Sequence, residues 1–398
     1  MFKNSKLYLN SLLFIYIFSI FFSASLKNLI PYINFADELV FCLIIIYFLF
    51  YFSENKSISL LTKNISLLVY SLYILTCFIA HFDFSQDTFL RLKYYIINIA
   101  FLILFFFIID KEKVYLQYNL LFLIFFLSVL FGIINFFLSD DFLNFFYNNP
   151  NKIDVSYHNK NIRLVSILNS PIIFSFVLNL SLIILLFSKT KNNFYFIFYL
   201  IIISLIFFTF SKLGYLCLFF TIIYYLVSKK NLLLLFIFLF FITILLIFRN
   251  EIFLIIYNNF DNYSLTNYFI SILKRLNEIL EFKSYQNYFF DFYKLDLQNL
   301  DLPQLLFGNG FSNLGWTTSK IYIETSLLIV FYEVGLIGLA ICLFIIFKYI
   351  TLVFKTRDPF EINLLILFIL YILFNNGFVY NPVSFLFFLN YFRLKYKS

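Results

Sequence analysis

The chain has 398 residues, 63% of them hydrophobic and only 13% charged, with a formal net charge of +8. A soluble globular domain devotes roughly 25% of its residues to charge, so a soluble fold of this size is excluded. A transmembrane β-barrel is excluded too, because its strands would alternate in and out whereas these runs are apolar all round.

Apolar stretches of about 20 residues recur, each long enough for a hydrocarbon core of about 30 Å. Spans are predicted near 11–29, 35–52, 65–82, 94–109, 114–138, 171–188, 194–210, 213–228, 231–248, 324–347, 362–376 and 382–393. The fold class expected is therefore all-α: one polytopic integral membrane domain, 1–398, with about twelve transmembrane helices. Lys3 and Lys6 ahead of the first apolar run resemble a signal peptide, but with so many spans following, an uncleaved first helix is expected. The last run is short and follows Asn381-Pro382, and Ser211-Lys212 alone separate 194–210 from 213–228, which demands a tight turn.

Charge orients the spans. With the N-terminus inside, internal segments hold pairs or triplets of basic residues: Lys56 and Lys63, Lys111 and Lys113, Lys189 and Lys191, Lys229 and Lys230, then Lys348, Lys355 and Arg357. The short external connections hold only Lys27, Arg91 with Lys93, and Lys212. The positive-inside rule then puts both termini in the cytoplasm. The charge of +8 follows this topology and does not indicate a nucleic-acid partner. Two long segments fall outside, 139–170 and 249–323. Within the larger one, Phe269, Ile272, Leu273, Leu276, Ile279 and Leu280 recur at helical spacing, with Lys274, Arg275, Asn277, Glu278 and Glu281 opposite. That pattern predicts an amphipathic helix at the outer membrane surface.

The 64 Phe and 31 Tyr accompany abundant Ile, Asn and Lys, which reads as AT-rich coding rather than as a sugar-stacking platform. Cys42, Cys77, Cys217 and Cys342 lie inside apolar runs without metal spacing, and His81 and His158 are too far apart to suggest a metal site. No metal or cofactor is expected, and neither a P-loop nor a dinucleotide fingerprint is present.

Four local patterns carry a likeness. They are Arg163 to Pro171 (Arg-Leu-Val-Ser-Ile-Leu-Asn-Ser-Pro); Thr209-Phe-Ser-Lys-Leu-Gly214; Leu305-Leu-Phe-Gly-Asn-Gly-Phe311; and Glu324-Thr-Ser326 running on to Glu333-Val-Gly335-Leu-Ile-Gly338. In this order, and over roughly 160–347, they resemble the O-antigen polymerase family (Wzy) and the related O-antigen ligases. Lys212 stands where the family turn has arginine, and Glu324 stands where the ligases have histidine, which favours a polymerase.

The resemblance implies transfer of a growing glycan from undecaprenyl pyrophosphate onto a new lipid-linked repeat unit, at the periplasmic face of the bacterial inner membrane. The departing pyrophosphate then needs fixed positive charge, and the attacking hydroxyl needs a base. Arg163 and Arg275 suit the first role, because arginine stays charged and grips phosphate oxygens in pairs. Glu324 takes the base role by its correspondence with the ligase histidine, although a carboxylate at a helix N-terminus is also explained by the helix dipole. Lys212, Lys274 and Asn309 are the expected substrate-binding positions. Glu333 is the deep carboxylate, and Gly335 with Gly338 predicts close helix contact. The implied partners are lipid-linked oligosaccharides, membrane lipids, a chain-length regulator and a flippase. Two other readings stand beside this one: a ligase moving glycan to lipid A core, and a flippase for lipid-linked oligosaccharide.

Overall fold

The computed structural model describes residues 5–26, 36–54, 65–81, 88, 92–108, 117–147, 163–166, 168, 170–187, 194–248, 251, 270–276, 278, 300–311, 325–375 and 381–397. Among these it is all-α. In chain order the helices are α1 (Ser5–Leu26), α2 (Ala36–Glu54), α3 (Ile65–Ala80), a π-helical turn Lys93–Ile97 leading into α4 (Asn98–Ile108), and α5 (Gln117–Tyr147). Then follow α6 (Pro171–Phe187), α7 (Phe194–Phe208), α8 (Lys212–Ser228), α9 (Leu232–Ile247), the short α10 (Leu302–Phe307), α11 (Ser326–Thr356), α12 (Pro359–Phe374) and α13 (Asn381–Lys397). Every apolar run predicted above coincides with one of these helices. The fifth runs past its expected end, so that 139–147 continue α5. Residues 270–276 are also helical.

α11 is the one described helix both long and apolar enough to cross a membrane by itself, and the other apolar helical stretches run 10–17 residues. Much of the bundle's exterior is apolar. Leu233, Phe236 and Phe240 of α9 are 72%, 69% and 58% exposed, and Leu72, Phe196 and Phe347 also face outward. An apolar surface this extensive has no place on a soluble monomer.

The interior is built by the helices that are apolar on every side. The short final run, an unpromising span by sequence, lies in the middle of the bundle. α13 packs against α1, α4, α6, α11 and α12, and residues 382–392 are buried without interruption. Large rings fill the space around it: Tyr349, Phe368 and Phe387 meet edge to face, and Phe106 stacks on Phe392 at 5.3 Å.

Pairings between helix ends join the ends that an up-and-down order brings together. At one end, the start of α11 is bound to the finish of α12 through Ser326, whose N–H and hydroxyl both donate to the Asn375 carbonyl at 3.0 and 2.7 Å. At the opposite end, Arg393 near the finish of α13 pairs with Glu361 in the first turn of α12. Glu361 is therefore a second deeply buried carboxylate beside Glu333, which the sequence had singled out alone.

Candidate functional site

The site lies at the end of the bundle where α7 hands over to α8. α7 stops at Phe208 because Phe210 turns left-handed (φ 48°). Ser211 then starts α8 as its N-cap, accepting from the Gly214 N–H at 3.1 Å. The Ser211 hydroxyl also accepts from Ser175 at 3.0 Å, and a Cβ on Gly214 would lie 2.6 Å from that of Ser175, so the turn is seated tightly on α6. Thr209, Ser211 and Gly214 are thus occupied in shaping the turn. Lys212 is the first residue of α8, one step beyond the turn expected to hold it, and its side chain reaches Glu278.

Arg163 is positioned by backbone. The Leu164 N–H donates to Phe208 O at 3.2 Å, while those of Val165 and Ser166 donate to Asn135 Oδ1 at 3.1 and 3.3 Å. From there the guanidinium reaches the carbonyls left open where α7 ends, with Nε donating to Thr209 O at 3.2 Å and Nη2 to Phe210 O at 3.5 Å. Arg163 therefore holds the turn together as well as contributing charge.

The helical segment 270–276 brings the remaining charges. Ile270 and Ser271 are buried and Lys274 is exposed. Arg275 and Glu278, expected on the solvent face, instead turn toward α8. Glu278 Oε2 lies 2.7 Å from Lys212 Nζ and 2.9 Å from Arg275 Nη1. The apolar side still packs inward, with Ile270 buried and Leu276 against the core, so these two charged residues flank that face and reach α8 beside it. Burial pushes the Glu278 carboxyl up, but the hydrogen bond from Lys212 and the charges of Arg275 and Lys212 outweigh it and hold the group below the usual carboxylate range. Arg163, on the carbonyls of the turn, and Arg275, through Glu278, are thus both brought to the start of α8.

A second cluster was missed by sequence. Lys93 Nζ lies 2.7 Å from Asp37 and 2.5 Å from Glu38, joining the head of α2 to the π-turn before α4. Its only signal in the sequence is charge placed at the mouths of two apolar runs.

Two residues beyond Lys93, Tyr95 donates to Glu333 Oε2 at 2.6 Å, and the Glu333 side chain is fully buried. Glu333 sits just ahead of a break in α11 at Gly335 (φ 71°, ψ −174°), a conformation open essentially to glycine alone. The carbonyls freed by the break are taken up by the segment after α10. The Asn309 N–H donates to Tyr332 O at 2.8 Å, and the Gly310 N–H to Glu333 O at 3.2 Å. Tyr73 of α3 donates its hydroxyl to Val334 O at 2.8 Å. Asn309 thus reaches α11 through its backbone, Gly335 lies against the backbone of Leu306 at the end of α10 and of Gly308 beyond it, and Gly338 lies against Tyr73 of α3, so both glycines serve close contacts with neighbouring elements.

Of the predicted site residues, Arg163, Lys212 and Arg275 come together, Lys274 lies on the same segment but is exposed, and Asn309 belongs to the α11 break. Glu324 lies outside the described residues. Its neighbour Thr325 is the N-cap of α11. Among the described residues no group of three His, Cys, Asp or Glu is gathered for a metal. Comparison of the chain with protein-family models, curated proteins and solved structures finds no match.

Proposed function

We propose that the chain is a polytopic membrane glycosyltransferase of the O-antigen polymerase type, with twelve spans, both termini cytoplasmic and its site at the periplasmic face of the bacterial inner membrane. The observation that carries this reading is the meeting of Lys212 and Arg275 on the carboxylate of Glu278, with Arg163 held at the turn just ahead of Lys212. They meet at the bundle end that the charge pattern assigns to the outside. Three cations there suit an anion at the depth of a lipid headgroup, and the apolar exterior supports the twelve-span arrangement.

In this reading the donor is a glycan on undecaprenyl pyrophosphate and the acceptor is the terminal sugar of a second lipid-linked repeat unit. The cations stabilise the negative charge that develops on the departing pyrophosphate. Arg163, already fixed by the α7 carbonyls, loses little freedom on binding. Glu324, ahead of α11, takes the proton from the attacking hydroxyl. Cleavage of the pyrophosphate link drives the reaction, so no nucleotide or metal is called for. A flippase supplies the substrates and a chain-length regulator limits the product.

One observation favours a second reading, transport of the lipid-linked glycan. Broken helices beside buried carboxylates are how many transporters build their sites, and α11 breaks next to Glu333. A glycan-stained gel of lipopolysaccharide from a deletion strain and its complemented parent separates the two. Core carrying a single repeat unit means polymerase, and loss of that unit as well means flippase or the lipid A core ligase. An unchanged ladder ends the lipopolysaccharide polymerase reading.

A further inference from the structure

The carboxylate of Glu278 lies where a ligand anion would have to sit. One of its oxygens fills the gap between Lys212 Nζ and Arg275 Nη1, at 2.7 and 2.9 Å. Arg163 adds a third positive charge at the turn just ahead of Lys212, where it is bonded to the Thr209 and Phe210 carbonyls. Arg275 Nε is buried with no hydrogen-bond partner among the described residues, leaving a donor to spare. The contact is also open to water: the side chains of Glu278 and Lys212 are 39% and 29% exposed, and a pair at such exposure adds little to stability. Carboxylate and phosphate oxygens meet lysine and arginine in the same way, but a pyrophosphate brings more oxygens and more charge.

We propose that Glu278 is a displaceable internal counter-ion. With no donor bound it closes the cluster of Arg163, Lys212 and Arg275; the phosphate oxygens of an arriving ligand take its place, and its carboxylate swings out to water. The identity of that ligand as a lipid-linked pyrophosphate rests on the glycosyl-transfer reading, whereas the exchange requires only a phosphate-bearing group.

The test is titration of the purified full-length protein, in phosphatidylcholine nanodiscs, with inorganic pyrophosphate followed by calorimetry. Glu278→Gln removes one negative charge while keeping the shape, so it should bind inorganic pyrophosphate about tenfold tighter than the parent. Lys212→Ala should lose most of the binding. Equal or weaker binding by Glu278→Gln would make Glu278 a mere fastener of the loop helix and overturn the proposal. If that variant fails to fold, Glu278→Asp, with its shorter reach to Lys212, is read in its place and should also bind tighter.

Ordinary phospholipid headgroups offer the same phosphate chemistry. Nanodiscs containing phosphatidylglycerol should bind pyrophosphate as well as neutral ones do, and strong competition there would make headgroups the occupant. The two ideas fail separately. An intact glycan ladder in the deletion strain removes the polymerase reading and leaves the affinity shift standing. A lost ladder with equal affinities does the reverse.

Discussion

At the end of the bundle where α12 begins, Glu361 and Arg393 face each other with 3% and 14% of their side chains exposed. Asn390 completes the group: it donates to Glu361 at 3.1 Å and to the Tyr349 hydroxyl at 2.7 Å, and accepts from Arg393 Nε at 2.9 Å. Charge is balanced one to one and the carboxylate is sealed from water. At the other end, Lys212 and Arg275 meet on the Glu278 carboxylate, which stays 39% exposed, with Arg163 at the neighbouring turn. Isolated buried charge is costly, so a buried pair persists only when it is matched and hydrogen-bonded. An open cluster gains little for the fold and leaves its charges within reach of a ligand. Exposure, more than the mere presence of charge, separates the fastening from the site.

That contrast is most easily broken at its buried end. Glu361→Ala leaves Arg393 unmatched and should cost about 3–5 kcal/mol, read as a large fall in the thermal midpoint in detergent. A shift worth under about 1 kcal/mol would remove the distinction between the two ends. Gly335→Ala comes next, at about 3 kcal/mol, because a Cβ there would overlap the Leu306 carbonyl and the backbone conformation resists any side chain. The same melt measures it.

Tyr95→Phe, which takes away the hydroxyl from the buried Glu333 carboxylate, should cost about 1–3 kcal/mol and leave the helices intact by circular dichroism. Lys212→Ala should move the melt by less than about 1 kcal/mol, yet a strain carrying it should lose the polymer ladder. A normal ladder would place the working end elsewhere. The smallest effect concerns pH. Because the Glu278 carboxyl is held below its ordinary value, its contribution is present above the usual carboxylate range and disappears as pH falls through the lowered one. Protease cleavage within 270–278 should therefore rise below about pH 4 and remain flat from there to neutral.

Most of the helices were legible because a continuous apolar run leaves the backbone no partner but itself. The turn at Thr209 to Ser211 was legible for the same reason: two such runs left no room for anything longer. The pairings were not. Lys93 finds Glu38 across 55 positions, and Tyr95 finds Glu333 across 238, separations at which local periodicity carries no information. The break at Gly335 was hidden by its own spacing, because Gly-x-x-Gly inside an apolar stretch reads as contact along an unbroken helix, whereas Gly335 leaves the helical conformation to meet the backbone of Leu306 and Gly308. The inward turn of Arg275 and Glu278 was hidden likewise, since amphipathic spacing assumes that charge seeks water and takes no account of a lysine waiting on another helix. Arg163 and Lys212 were reached through motif resemblance, Arg275 through helical spacing, and the role of Glu278 between Lys212 and Arg275 only through the fold.

The interruption of α11 also imposes an order of events on the growing chain. The carbonyls of Tyr332 and Glu333 are finished off by amides from residues 309 and 310, which leave the ribosome earlier. Residues 300–311 therefore have nowhere to settle until synthesis has passed Gly335, and the start of α11 is fastened only when Asn375 arrives to accept from Ser326. The first part of α11, from Ser326 to Val334, is about 14 Å long at the usual rise and would be a poor anchor by itself. A nascent chain halted before residue 375 would hold its first nine helices while the surface above them stayed unassembled. The last few dozen residues thus decide when this end of the molecule becomes competent, though none of their side chains belongs to the cation cluster.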